Sequence, residues 1–494
     1  MTQYKTLAID LGANSGRVME SYFDGEKISL KEIYRFVNSP IQANNSLYWD
    51  ILKLFQEIKH GIKIASKEDD SIQSISVDTW GVDYGYLDKY GDIISFPHCY
   101  RDKRMYDVEE DFYQTITKKV FFMETGVQPS VINSVIQIYA DIKKKPYLKE
   151  IVDSVLFMPD LFNFLLTDKK TNEFTIASTS GLLNGETRNW STRVFEDLDI
   201  PEKWFKPITA TGTVIGPISK QIATDFQLKE FDVVAGTSHD TASAVLAIPY
   251  ENKENSIFIS CGTWSLVGCE TEDTILTEEV FKQGLTNEGC LGKANRLLKN
   301  ITGLWILQEL KRNWSYQKEV ISYQKMTELA LNTRSDPSII NVNDTIFSSP
   351  GNMVKRIQEY CSKTNQAIPE NQGELVNTVL NSLALSYRET IESIEKVTNK
   401  TMETIHMIGG GTQNHLLCQL TANICNKKVV AGPIEASAAG NILSQLYAKD
   451  KIHNQSEFTS IIKNSFDTNM YEPKSSLKYE KMYQNYLDIK TNYK

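Results

Sequence analysis

Two segments far apart in the chain share one design: a strand-forming run, a tight glycine-bearing turn, and a second strand-forming run. The first comprises residues 5–9, the turn Gly12-Ala13-Asn14-Ser15-Gly16, and a strand resuming at Arg17-Val18-Met19. The second comprises 257–260, the turn Cys261-Gly262-Thr263, and 264–267. Each predicts a β-hairpin with a polar tip. The two resemble each other in shape and hardly in letters. A duplicated architecture, one copy opening each half, and two unrelated hairpins both fit that pattern.

Around the hairpins, strand and helix patterns alternate. Spacing predicts a helix over 48–65, with Leu52, Phe55, Ile58, Ile62 and Ala65 sharing a face. Strands are expected over 72–77, 152–157, 231–235, 404–408 and 429–431. Helices are expected over 301–312, 373–399, 414–426 and 436–448. Such alternation belongs to the α/β class. A chain of 494 residues has room for two or three domains. The polar, proline-bearing run 248–253 precedes the second hairpin and sets the boundary. The expected division is 1–248, 249–450 and a helical C-terminal tail, 451–494.

Several function classes fall away. No run approaches the roughly 18–20 apolar residues of a membrane span. Met1 leads almost directly into the first strand, so no secretory leader is expected. Seven scattered cysteines without a C-x-x-C give neither a disulfide framework nor a zinc ribbon, and a cytoplasmic setting is expected. A net charge of −9 weighs against a broad nucleic-acid surface. It does not weigh against a small anion, which senses local backbone dipoles. P-loop, dinucleotide-binding, H-E-x-x-H and G-x-S-x-G motifs are absent. No protein partner is indicated.

Local chemistry suggests where a ligand would sit. A turn carrying Gly12 and Gly16 can expose backbone N–H groups to an anion, with Asn14 and Ser15 as further donors and Arg17 as a phosphate fork. Asp10, at the strand end, suits a hard cation. The alternative is a plain hairpin turn. Thr263 offers the same chemistry at the second turn, with the same alternative. Asp240 follows the strand 231–235, at the edge where open α/β sheets bind ligands. It can accept a proton from an attacking hydroxyl or cap the helix after it. His239 beside it is either functional or a packed core residue. Asp78-Thr79-Trp80-Gly81-Val82-Asp83 reads as a sugar site or as a turn with Trp80 in the core. Tyr100-Arg101-Asp102 reads as a sugar contact or a surface ion pair. Gly409-Gly410-Gly411 leaves room for a flat base or a ribose, and Asn414 caps the next helix. Asn300 and Gln308 read as a cap and an exposed side chain. Gly440 permits close helix packing.

Taken together, AIDLGANSGRVM (8–19), SVDTWGVDYGYLD (76–88), SHDTASAV (238–245), SCGTWSLVG (260–268), LLKNITGLWILQE (297–309) and IGGGTQN (408–414) resemble the FGGY carbohydrate kinases of the actin-like ATPase superfamily. The resemblance runs in family order to about residue 447. It implies an α/β fold of two actin-like, ribonuclease-H-like domains with the active site in the cleft between them. It implies ATP and Mg²⁺ as cofactors and a small ketose as acceptor, with L-rhamnulose favoured, L-fuculose or L-xylulose as alternatives, and a non-sugar actin-like ATPase as the alternative outside sugar kinases. On the family pattern Ala13, Asn14, Ser15, Gly16, Arg17, Thr263, Asn300, Gln308 and Gly410 match nucleotide positions. Gly81, His239, Asp240 and Thr241 match substrate positions, Asp240 the proton acceptor, and Asp10 the carboxylate near Mg²⁺. Asn14 and Gly181 depart from the commoner Ser and Gln.

Overall fold

The computed structural model describes residues 4–316, 319–333, 336–474 and 476–493. Met1–Gln3, on which the expectation of no leader rests, lie outside the described residues, as do Ser475 and Lys494 of the tail segment. Contacts group the chain into two units. The first holds the described residues up to Pro249 together with Thr271–Leu297 and Ala436–Ser465. The second holds Tyr250–Glu270, Leu298–Glu435 and the described part of the segment from Phe466 onward.

The first unit is built on six strands: β1 (Tyr4–Leu11), β2 (Ser15–Phe23), β3 (Ile28–Val37), β4 (Ile72–Thr79), β5 (Thr213–Pro217) and β6 (Asp232–Ala235). Their order is β3-β2-β1-β4-β6-β5. The hairpin β1–β2 is antiparallel, β4 and β6 run parallel to β1, and β5 closes the edge antiparallel. The segment near 152–157 does not join this sheet. Ser154–Phe157 pairs instead with Tyr84–Leu87 in a separate two-stranded ribbon.

The helix Ile51–Glu68 covers the sheet. It starts later than periodicity suggests, because the Asp50 carboxylate accepts from the Lys53 amide and caps it. Its buried face is Ile51, Leu54, Ile58, Ile62 and Ala65, while Leu52 points outward and is 53% exposed. At the far end of this helix, the fully buried Lys5 ammonium donates to Ala65 O at 3.0 Å and pairs with Glu20 at 2.7 Å. A cation there satisfies carbonyls at the helix C-terminus. The helices Asp240–Leu246 and Ala436–Ala448 cross very closely: a Cβ on Gly440 would lie 1.7 Å from Ser243 O. Only glycine fits that crossing.

The second unit repeats the plan with β7 (Ser256–Cys261), β8 (Trp264–Thr271), β9 (Asn295–Thr302, in this unit from Leu298), β10 (Thr404–Ile408), β11 (Lys428–Ala431) and β12 (Asn469–Tyr471). The order is β9-β8-β7-β10-β11-β12. Again a hairpin is followed by parallel neighbours and an antiparallel edge. Residues 301–302 finish β9 rather than opening a helix. The Gly303 and Leu304 amides donate to Thr263 O and Gly262 O, and the helix begins only at Trp305. The segment beyond 450 divides as well. Gln455–Ser465 packs with the first unit, while β12 and the helix Leu477–Asn492 belong to the second.

Candidate active site

In the first unit, register brings acids together. Asp10 near the end of β1 pairs with Arg17 on β2 and lies beside Asp78 on the parallel strand β4. The Arg17 guanidinium donates to the Asp10 carboxylate. Ala13, Asn14 and Ser15 form the tip of the turn, partly open to solvent. The Gly12 amide donates to Ser15 O at 2.9 Å, and Gly16 is buried against Phe36. Asn38 braces this loop, its side-chain amide donating to Gly12 O at 2.8 Å.

Asp78 is fully buried. Asn441 donates to its Oδ2 at 2.6 Å, and its Oδ1 has no protein partner among the described residues. Burial first, and the neighbouring Asp10 next, push its carboxyl well above the ordinary value. His239 bridges to Thr79 of β4, which carries the next loop to the same sheet edge. Asp240 is the first residue of its helix and not the cap, because His239 occupies the cap position. The Thr241 hydroxyl donates to Asp240 Oδ1 at 3.1 Å. The Asp240 side chain is 32% exposed. Burial raises its carboxyl, and the Asp10 charge adds to that rise against the pull of His239. Thus Asp10, Asp78 and Asp240 gather at the C-terminal edge of β1, β4 and β6, where open α/β sheets hold ligands.

The DTWGVD segment resolves into two parts. Trp80 is core: its ring packs on Trp49 with centroids 4.3 Å apart, and both indoles donate to Asp83 Oδ2, at 2.9 and 2.6 Å. Asp83 also accepts from Gln137 and from the Tyr100 amide, so it is a structural acceptor and not a sugar ligand. Burial raises its carboxyl to about 6 despite these donors. Gly81, by contrast, faces the site. A Cβ there would sit 3.4 Å from both His239 Nε2 and Thr179 Oγ1. Next to it Val82 has φ +67°, and the Asp83 amide donates back to Gly81 O at 3.0 Å. That conformation is strained for a β-branched residue, and such strain gathers at functional sites. Asp102 is no surface pair either. It accepts from the Leu47 and Arg104 amides beside the buried Arg104–Asp141 pair.

Sequence reasoning missed two residues here, Glu288 and Arg296. Arg296 lies within hydrogen-bonding distance of both His239 and Glu288. No local pattern marks a partner 57 positions away.

In the second unit, the Cys261–Thr263 turn is closed by the Gly262 amide donating to Trp264 O at 2.8 Å. Gln308 Nε2 lies 3.3 Å from Thr263 Oγ1, so these two candidates touch. Gly409 and Gly411 lie against Cys261: a Cβ on Gly411 would be 2.2 Å from its sulfur. Gly410 opens the short turn that follows and faces open space. Asn300 sits exposed on β9. Asn414 caps the helix His415–Cys425, its side chain accepting from the Leu417 amide.

A hard cation fits the first-unit donor set. Like-charged carboxylates oppose one another's ionisation, and Asp78 Oδ1 is buried without a partner. No group of three or more His, Cys, Asp or Glu among the described residues could hold a metal ion by itself. A Mg²⁺ held by one or two carboxylates, waters and phosphate oxygens needs no such cage.

Two units on one α/β plan, with acids gathered at the strand ends of the first, share the fold of solved sugar kinases. A Plasmodium falciparum glycerol kinase solved with ADP superposes with a TM-score of 0.79 over 99% of this chain and 98% of its own, at 15% identity. A gluconate kinase from Lactobacillus acidophilus gives 0.80 at 14% identity, over 99% and 98%. The chain belongs to the FGGY family of carbohydrate kinases: the profile of the family's N-terminal domain matches residues 5–247, and that of its C-terminal domain matches 257–449. It is 40% identical to a rhamnulokinase of Oceanobacillus iheyensis over 469 residues, 95% of this chain and 98% of that one. It is 36% identical to a rhamnulokinase of Bacteroides thetaiotaomicron over 96% and 97%.

Proposed function

We propose that this enzyme transfers the γ-phosphoryl group of ATP to the 1-hydroxyl of L-rhamnulose, giving L-rhamnulose 1-phosphate and ADP. The observation that carries the chemistry is Asp240, a partly exposed carboxylate raised by burial and by Asp10. As a general base it takes the proton of the attacking hydroxyl, a task suited to a carboxylate raised toward the operating pH. The full-length likeness to rhamnulokinases supports the choice of sugar. Gly81, His239 and Thr241 hold the ketose beside that base. In the first turn Ala13, Asn14, Ser15 and Gly16 offer backbone donors to phosphate, and Arg17 contributes its fork. Thr263, Gln308, Asn300 and Gly410 hold the nucleoside end. Asp10 would hold Mg²⁺ together with phosphate oxygens. When bound, that ion neutralises charge on the transferring group. No helix among the described residues is long and apolar enough to cross a membrane. The seven cysteines are buried thiols, which suits a reducing compartment, and on that ground we place the activity in the cytoplasm.

The test is a panel of ketoses, including L-rhamnulose, L-fuculose and L-xylulose, followed by ADP release and by the position of the product phosphate. Preferential turnover of L-rhamnulose with phosphate on O1 supports the assignment. Comparable or faster turnover of another ketose replaces the sugar while leaving the reaction class.

A further inference from the structure

His239 has polar groups near both ring nitrogens, the closest at Nδ1. Arg296 Nη2 lies 3.1 Å from Nδ1, and Glu288 Oε2 lies 3.4 Å from the same nitrogen. Asp240 Oδ1 lies 3.4 Å from Nε2. Arg296 and Glu288 pair with each other at 3.0 Å. Nδ1 cannot serve both neighbours at once. A guanidinium has five donors and no acceptor. The shorter contact therefore requires Nδ1 to accept, and the ring proton then belongs on Nε2.

We infer that Arg296 and Glu288 are positioning residues that hold His239 as its Nε2–H tautomer, and that this N–H donates to an oxygen of the ketose beside Asp240. The second half rests on the sugar-kinase reading; the first does not. The surroundings agree with it. Gly81 leaves the Nε2 face open, since even a Cβ there would stand 3.4 Å away. The His239 amide donates to Thr175 Oγ1 at 3.2 Å and fixes the backbone of the ring. The Arg296 side chain is fully buried, and its Nε and Nη1 have no protein acceptor among the described residues. A buried guanidinium with spare donors is a costly way to fill space, and apolar packing does it better. What the guanidinium supplies is direction: it leaves His239 only one way to carry its proton. Glu288 balances the Arg296 charge within the buried cluster. Asp240 then stays free to accept while His239 donates, and a hydroxyl-bearing substrate meets one group of each kind.

The experiment begins with ¹⁵N-histidine-labelled enzyme at neutral pH without ligand, the His239 signals being assigned by their loss in His239→Gln. Nε2–H shifts are expected. A ring protonated on Nδ1, or on both nitrogens, overturns the inference whatever sugar the enzyme uses, and the tautomer itself is read on the unsubstituted enzyme. In Arg296→Met the Nδ1–H form, turned toward Glu288, should appear, while Arg296→Lys should retain the Nε2–H form. In kinetics, Arg296→Met should lower kcat/KM for the ketose by about 10- to 100-fold, taking the range for partners that orient a metal-ligating histidine, with KM for ATP unchanged. Glutamine at 239 presents an amide N–H near the Nε2 position regardless of Arg296. Adding Arg296→Met to His239→Gln should therefore cost little more. An equal loss in both backgrounds would show that Arg296 acts only as packing and would overturn the inference.

Discussion

The two units carry the same strand plan but arm their first turns differently. In the first, the hairpin β1–β2 sets Asp10 against Arg17, with Asp78 one strand away. In the second, the hairpin β7–β8 carries Cys261, Gly262 and Thr263, and its polar contact is the neutral pair Thr263–Gln308. Topology fixes where a turn lies, at the C-terminal end of a strand with parallel neighbours, and side chains then decide its chemistry. Charge is concentrated at the first turn, as the proposed phosphoryl transfer would require. Neutral hydrogen bonds and glycine-lined space characterise the second, which suits a nucleoside.

The sharpest way to break that contrast is Asp240→Asn. Transfer should fall by about 10²–10⁴-fold, the worth of a general base, while ATP binding measured by calorimetry persists. Near-normal turnover would remove the base from the first unit altogether. Next in size, Arg17→Gln should raise KM for ATP by roughly 10- to 100-fold, as expected for a charge-assisted hydrogen bond of about 1.5–3 kcal/mol. Thr263→Val should cost only about two- to tenfold, as for a neutral bond. Equal effects would erase the distinction between the turns.

The pH profile sharpens it further. Asp240 must be ionised to act, and its carboxyl is raised by burial and by Asp10. Activity should therefore fall, as pH drops, at a value above the ordinary aspartate pKa of about 4. A kcat/KM profile with its acid limb at the ordinary value would contradict that electrostatic picture. On stability, Gly440→Ala should cost about 1–3 kcal/mol in urea unfolding, because its Cβ would collide with the Ser243 backbone. The smallest expected effects come from one helix cap in each unit. Asp50→Ala and Asn414→Ala should each lose about 1 kcal/mol.

Much of this was legible in the linear chain. Both hairpins, with their turn glycines, rest on contacts a few residues long, and alternation together with turn chemistry reveals such contacts. Asp10 stands out because it closes an apolar strand run, and Asp240 because it lies in the short loop-to-helix segment after the strand 231–235. The helix was visible too, expected over 48–65 and observed over 51–68, with Ile58, Ile62 and Ala65 facing inward as the period implies. In its first turn Leu52 matched the period, yet Ile51 and Leu54 are the buried residues and Leu52 is exposed. Trp80 and Asp83 looked like sugar contacts because an acid beside an indole suits either role. Only the packing of Trp49 against Trp80, with both indoles donating to Asp83, settled them as core.

By itself, then, the sequence determined the α/β class, the paired hairpins, and the acids and glycines at strand ends, since local backbone preference and periodic burial suffice for these. Tertiary structure alone decided that Asp78 lies beside Asp10, that Asn441 reaches it, and that Arg296 and Glu288 lie against the ring of His239. It also decided that residues 271–297 and 436–465 join the first unit. These contacts span dozens to hundreds of positions. They form because strand register and the burial of whole faces bring such residues together, and no short stretch of sequence records either.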